Sequence, residues 1–310
     1  MMNNMVFKGN KYSGEYALLL VTIFWGATFV IVKSALKDTS PMLFIGFRFL
    51  LATVLFLPFI FFKIKHINKK IIIPGIILGL LLFLSFSLQT IGLQYTSATK
   101  SGFLTGTLVV LIPFFQFIIK KKSPSKGALI GTILVFIGIF ILSGSGKPID
   151  ELLTELGSNF NFGDMLTLLC AILFAIHVVY LDIFTNIYDY WFLVFAQLFI
   201  TAILSLMFAY IFNLSGIETY KLEITGNLIF AVIYTAVFAT LINTILQTKY
   251  QKKVSPTKAG IVYSFEPIFA AVFAFIVLNE RLSFIGIIGC LLIFIGLIVA
   301  EIYDNLTVKK

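Results

Sequence analysis

Apolar stretches alternate with short polar gaps along the whole chain, and the rhythm predicts ten helices. They lie near 15–36, 42–62, 71–94, 99–119, 126–143, 162–183, 190–213, 226–249, 258–279 and 283–303. Each is close to the ~17–25 residues that a helix needs to cross a hydrocarbon core. A mean hydropathy of +1.03, with 59% hydrophobic and only 12% charged residues, leaves no soluble alternative. The expected class is an all-α integral membrane protein.

The gaps set the orientation. Of the 23 Lys and Arg residues, sixteen fall in the terminal segments and gaps on the side of the N-terminus, and six fall on the opposite side; Arg48 lies within the second stretch. Short loops with this bias belong in the cytoplasm, so both termini are expected inside. The net charge of +9 is explained by these inner gaps, and lysines scattered over separate short turns do not point to nucleic acid. The first 14 residues are polar, and no small-residue cleavage site follows the first stretch, which is therefore read as retained. The gap 144–161, rich in Gly, Ser, Asp and Glu, reads as an exterior linker. Cys170 and Cys290 both fall inside apolar stretches, so no disulfide framework is expected. Lys outnumbers Arg 21 to 2 amid abundant Ile, Phe and Asn, a composition that suggests an AT-rich bacterial genome and hence a bacterial cell membrane.

The chain also repeats itself. Thr99-Lys100-Ser101-Gly102 returns as Thr257-Lys258-Ala259-Gly260, and Gly131 through Gly138 returns as Gly289 through Gly296, both 158 residues later. Pro113 matches Pro267 at an offset of 154, while Gly14-Glu15 matches Gly163-Asp164 and Arg48 falls opposite Gln197 at 149. Two five-helix units, 15–143 and 162–303, explain this pattern. A unit with an odd number of spans places its second copy upside down, so the expectation is ten transmembrane helices in two inverted five-helix repeats. Inverted repeats recur in secondary transporters, with a substrate site near the midplane.

Trp25-Gly26-Ala27-Thr28-Phe29, Arg48-Phe49-Leu50-Leu51-Ala52 and Gly92-Leu93-Gln94-Tyr95-Thr96-Ser97-Ala98 occur in order in the first half. Phe103-Leu104-Thr105-Gly106 with Pro113 follows, then Glu266-Pro267 and Asn279-Glu280-Arg281 in the second half. In this set the chain resembles the EamA family of the drug/metabolite transporter superfamily, over essentially its whole length. The resemblance implies two inverted EamA repeats, a central cavity, and movement of small metabolites, often amino acids.

Polar groups inside the stretches are the site candidates. Glu266 lies about eight residues, or ~12 Å, into its stretch from the cytoplasmic side. A carboxylate there is costly unless it faces the interior, finds a partner or takes up a proton. It either binds a substrate ammonium or coupling proton, or tethers the kink at Pro267. Arg48 either meets a substrate anion or bonds free carbonyls at a neighbouring helix end, and a direct Arg48–Glu266 bridge is not expected. His177, mid-depth in the sixth stretch, suits a proton-sensitive gate or a structural hydrogen bond. Trp25, Tyr180, Tyr234 and Tyr263, with Thr28, Asn243 and Gln89, could supply a partly aromatic cavity wall. Pro113 and Pro267 each remove one backbone hydrogen bond and are candidate hinges or static bends. The small-residue pairs Gly75/Gly79, Gly102/Gly106 and Gly127/Gly131 suit close helix packing.

No metal-ligand spacing, phosphate-cradling loop or nucleophile elbow is present, so neither an enzyme nor a cofactor is expected. The reading is a secondary transporter in the lipid bilayer, exporting an amino acid or related polar small molecule by alternating access. A proton is the candidate coupling ion, and one chain suffices because both halves are fused. Drug or cation efflux is the alternative; a sensor or scaffold without flux is the reading from a different class.

Overall fold

A computed structural model describes residues 12–61, 63, 69–96, 98–143, 160–278 and 284–307. Most of the linker at 144–161 and the Asn279-Glu280-Arg281 motif lie outside the described residues. Seven stretches are helical over 21 to 28 residues and apolar enough to cross a bilayer, and Lys126–Leu142 and Phe284–Ala300 are shorter apolar helices. The chain is a multi-pass helical membrane protein. The stretch expected at 258–279 is divided between two short helices, and together with the two shorter apolar helices this accounts for seven full-length spans where ten stretches are expected.

In chain order the helices are α1 (Ser13–Gly26), α2 (Thr28–Ala35), α3 (Pro41–Phe61), α4 (Ile72–Tyr95), α5 (Ala98–Gly106), α6 (Leu108–Lys120) and α7 (Lys126–Ser143). The second half holds α8 (Phe162–Thr185), α9 (Tyr190–Leu214), α10 (Gly226–Ala236), α11 (Asn243–Tyr250), α12 (Pro256–Tyr263), α13 (Glu266–Leu278) and α14 (Phe284–Thr307). A π-helical turn, Val237–Ile242, joins α10 to α11.

Lipid offers helices no hydrophobic reason to associate, so contact depends on backbones that can approach closely. The α7–α14 crossing depends on this most. A Cβ on Gly131 would sit 2.6 Å from the Gly296 carbonyl oxygen, and one on Gly138 would sit 2.8 Å from that of Gly289. The repeat pairs Gly131 with Gly289 and Gly138 with Gly296. Exchanging the halves therefore turns the first contact into the second, as a two-fold axis through the crossing would. Elsewhere α3 packs on α9, α4 on both α8 and α9, and α1 on α11, α12 and α13. The largest apolar core lies among α3, α4 and α9, where Phe49, Phe56 and Leu198 are fully buried.

The halves also join at the end of the bundle that the lysine count assigns to the exterior. Asp38 Oδ2 accepts from Thr225 Oγ1 (2.6 Å) and Asn227 Nδ2 (3.2 Å). The Glu223 amide donates to the Asp38 carbonyl at 2.8 Å, and the Ser40 amide to that of Lys221 at 3.0 Å. Thr225 also caps α10, its Oγ1 accepting from the Leu228 amide. The cap and the latch between the halves share one hydroxyl.

A side chain at Gly289 would meet Leu142 N at 2.7 Å and Gly138 O at 2.8 Å, backbone atoms that cannot swing aside. Gly289→Val is expected to lower stability by about 1–3 kcal/mol through overpacking. Gly226→Ala, where nothing lies within 4 Å, should be neutral. Thermal unfolding followed by size-exclusion chromatography in detergent checks both.

Candidate functional site

Three apolar stretches carry a hydroxyl where their hydrogen-bond ladder is interrupted. Thr28 Oγ1 donates to Trp25 O (2.7 Å), Thr107 Oγ1 to Leu104 O (2.6 Å) and Ser264 Oγ to Gly260 O (2.9 Å). Each takes a carbonyl three or four residues back, which replaces a backbone donor and bends the helix. These are the joints α1/α2, α5/α6 and α12/α13. The fourth interruption is the π turn. Its Ala239 carbonyl accepts from Trp25 Nε1 (3.1 Å) and Arg48 Nη2 (3.2 Å), and Arg48 Nε reaches Thr240 Oγ1 at 2.5 Å.

Residues at or near three of these interruptions, with Gln247 from the helix after the π turn, converge on one cavity. Five residues singled out from the sequence line it: Trp25, Thr28, Gln89, Tyr263 and Glu266. Glu266 is the one acidic residue among those that line it. It stands in the first turn of α13, and its carboxylate makes no hydrogen bond or ion pair among the described residues. Pro267 follows it within that first turn, where the missing N–H costs little, and so begins the new helix. Pro113 lies inside α6, six residues beyond the joint at Thr107. The Trp25 and Tyr263 rings are 5.7 Å apart, and the Tyr263 hydroxyl donates to Gln251 Oε1 at 2.9 Å. Gln89 Nε2 donates to Thr105 Oγ1 at 3.2 Å.

The other five candidates stand behind the wall. Arg48 is buried, its guanidinium 4.6 Å from the Phe86 ring centre. It serves the π turn, and no bridge to Glu266 forms. Gln197 commits its Nε2 to Leu193 O (3.0 Å) and Thr248 Oγ1 (3.2 Å), which turns Oε1 toward His177. His177 Nε2 donates to that oxygen at 2.8 Å, so the ring ties α8 to α9 and, through Thr248, to α11. Asn243 Nδ2 donates to Val21 O and the Tyr234 hydroxyl to Phe24 O, both at 3.1 Å, pinning the second half onto α1. Tyr180 stacks on Phe184 at 5.6 Å.

The wall also includes Phe86, Thr105, Leu108, Phe174, Val178 and Gln247. Gln247 was findable, because it is an amide within an apolar stretch one turn beyond Asn243. Thr105 lies in the Phe103-Leu104-Thr105-Gly106 motif. Phe86 and Phe174 carry no mark among 35 Phe residues.

Two ion pairs fix the α5–α6 span against α8 at either end. Lys100 Nζ meets Asp164 Oδ2 at 2.6 Å, with Thr96 Oγ1 donating to the same carboxylate at 2.6 Å. Lys120 pairs with Asp182 at the far end. Asp164 also closes a capping box with Asn161 at the start of α8. Lys33 Nζ caps α4, donating to Leu93 O, Gln94 O (3.3 Å) and Thr96 O (2.8 Å).

A largely apolar cavity that holds a carboxyl and two amides, walled by interrupted membrane helices, fits a membrane transporter. The EamA-like transporter family matches residues 12–144 and again 161–301, and the chain belongs to that family, within the drug/metabolite transporter superfamily. A protein of Archaeoglobus fulgidus named an uncharacterized transporter is 34% identical over 288 residues, covering 93% of this chain and 85% of that one. A Chlamydia muridarum protein named an S-adenosylmethionine/S-adenosylhomocysteine transporter is 25% identical over 156 residues, 48% of this chain and 49% of its own. A solved crystal structure shares the fold at a TM-score of 0.74 and 16% identity, covering 96% of this chain and 99% of that chain.

Asp164 is fully buried and Lys100 is 9% exposed. Removing one partner of such a pair costs about 3–5 kcal/mol, whereas replacing both with apolar groups is far milder. Asp164→Asn should therefore lower thermal stability strongly, and Lys100→Met with Asp164→Leu should restore most of it.

Proposed function

We propose that this protein is a secondary transporter that exports a small amine-bearing metabolite, in the leading case an amino acid or related polar compound. Export proceeds by alternating access across a bacterial cell membrane. The observation that carries this reading is Glu266, a carboxylate without a partner among the described residues, on the wall of a cavity built from both halves. A charge left unpaired in a low-dielectric site is stabilised by an arriving cation.

The halves 15–143 and 162–303 are read as inverted five-helix repeats joined by the linker at 144–161, with both termini in the cytoplasm. The reciprocal glycine contacts of α7 and α14 support this arrangement. Both halves then rock about a shared crossing while the cavity opens to one face and then the other. The interruptions at Ala27, Thr107 and Ser264–Phe265 supply bends where the wall can change shape, with Pro267 keeping α12 and α13 from closing into one ladder and Pro113 removing a further N–H inside α6. One chain contains both halves, so a monomer is the working unit. Glu266 is also the group on which a coupling proton would ride.

Efflux of cationic or aromatic compounds is the second reading, favoured by the rings of Trp25, Tyr263, Phe86 and Phe174. The S-adenosylmethionine named for the Chlamydia relative combines an amine with a flat ring, a chemistry compatible with either reading.

Uptake of pooled labelled amino acids into proteoliposomes, with and without a pH gradient, tests the proposal. The wild type should show saturable flux, and Glu266→Gln should reduce it about tenfold or more, the effect of losing ~1.4 kcal/mol. Undiminished flux in Glu266→Gln makes Glu266 structural, and absence of flux for every amino acid removes the leading case.

A further inference from the structure

Resting on the transporter reading above, and taking the related compound rather than the amino acid of its leading case, we propose that the cargo is a cationic amine on a flat, aromatic body, and that the cavity prefers it to the zwitterion carrying a carboxylate beside the same amine.

The hydrogen-bond inventory of the wall carries the argument. Trp25 Nε1 is engaged with Ala239 O, the Tyr263 hydroxyl with Gln251 Oε1, the Thr28 hydroxyl with Trp25 O and Gln89 Nε2 with Thr105 Oγ1. Three of those groups have no further N–H or O–H to give, and Gln89 keeps one N–H. The Gln247 amide also meets the Tyr263 oxygen, so the Thr105 hydroxyl and the spare N–H of each amide remain as neutral donors, and no Lys or Arg among the described residues lines the cavity. The acceptors stand differently. The Glu266 carboxylate has no partner among the described residues, and Gln89 Oε1 is left over from the contact to Thr105. A wall whose ionisable group is a carboxyl and whose remaining donors are all neutral suits a group that only donates, and an ammonium donates three hydrogen bonds and accepts none.

The rings complete the selection. Trp25 and Tyr263 stand 5.7 Å apart at 53°, and Phe86 and Phe174 5.3 Å apart at 89°. Aromatic faces attract a cation stripped of water and cover a flat apolar body. A substrate carboxylate would have to lose its hydration against those same negative faces. Arg48 is not in the lining: its Nε and Nη2 are held by Thr240 and Ala239, and its guanidinium lies over the Phe86 ring.

The chain has two tryptophans, and Trp191 stacks on Phe56, Phe59 and Tyr190 away from the cavity. Trp191→Phe therefore leaves Trp25 as a fluorescent reporter on the cavity wall. The probes are phenethylamine, phenylalaninamide, phenylalanine and 3-phenylpropionate, which share a ring and differ in charge. Phenethylamine and phenylalaninamide should each bind about tenfold or more tightly than phenylalanine, and 3-phenylpropionate should not saturate. Adding Glu266→Gln should shrink the spread to about threefold or less; if that variant does not fold, the probe series on Trp191→Phe alone decides. Phenylalanine or 3-phenylpropionate binding as tightly as phenylalaninamide, or no probe moving Trp25 fluorescence, overturns the inference. Counterflow of labelled phenethylamine and phenylalanine in proteoliposomes separates the two claims. Binding in the expected order without flux would overturn the transporter reading alone, while equal flux of the amine and the zwitterion would overturn the cargo assignment alone.

Discussion

Within a bilayer no water reaches the backbone, so each amide and carbonyl has to find its partner inside the protein. That constraint organises this molecule. A cavity at mid-depth needs helices that bend, and a bent helix frees carbonyls. Thr28, Thr107 and Ser264 each return a hydroxyl to a carbonyl at a joint, while Trp25 and Arg48 both serve Ala239 at the π turn. The polar residues of the membrane interior thus divide into those that repair the backbone and those that face the cavity. Trp25 belongs to both sets, since its ring lines the wall while its indole N–H holds the π turn in place.

The same division explains why Arg48 and Glu266 differ. Arg48 is buried with its charge spread over a hydroxyl, a carbonyl and the Phe86 ring, a set of partners that suits a guanidinium well. Glu266 has rings and the cavity before it and no donor among the described residues. One buried charge has its partners in the fold, and the other is left to find one in what the cavity holds. Around this centre the chain is tied firmly, with Lys100–Asp164 and Lys120–Asp182 bracketing the α5–α6 span and Gly131, Gly138, Gly289 and Gly296 bringing α7 and α14 together.

Much of this was legible beforehand. Apolar rhythm located the helices closely, because in lipid a helix needs length and hydrophobicity before anything else. The Gly131–Gly138 and Gly289–Gly296 repeat pointed to two related helices, and these cross glycine to glycine. Depth ranking found Trp25, Thr28, Gln89, Tyr263 and Glu266 on the wall. It also selected Arg48, His177, Tyr180, Tyr234 and Asn243, which lie behind it, because depth along a helix says nothing about azimuth or about which carbonyl a neighbour leaves free. The π turn had no sequence mark at all. Proline drew attention to two of the interrupted helices but located a joint closely only at Pro267, since the break near Pro113 is made by Thr107.

The central claim is that the cavity beside Glu266 is reached alternately from the two faces of the membrane. Its most direct test is thiol labelling of Thr105→Cys in a chain carrying C170A and C290A, reconstituted in proteoliposomes and probed with a membrane-impermeant maleimide from each side in turn. Alternating access predicts labelling from both sides, with saturating substrate changing the two rates in opposite directions. Labelling from one side only, or two rates that rise and fall together, would contradict it.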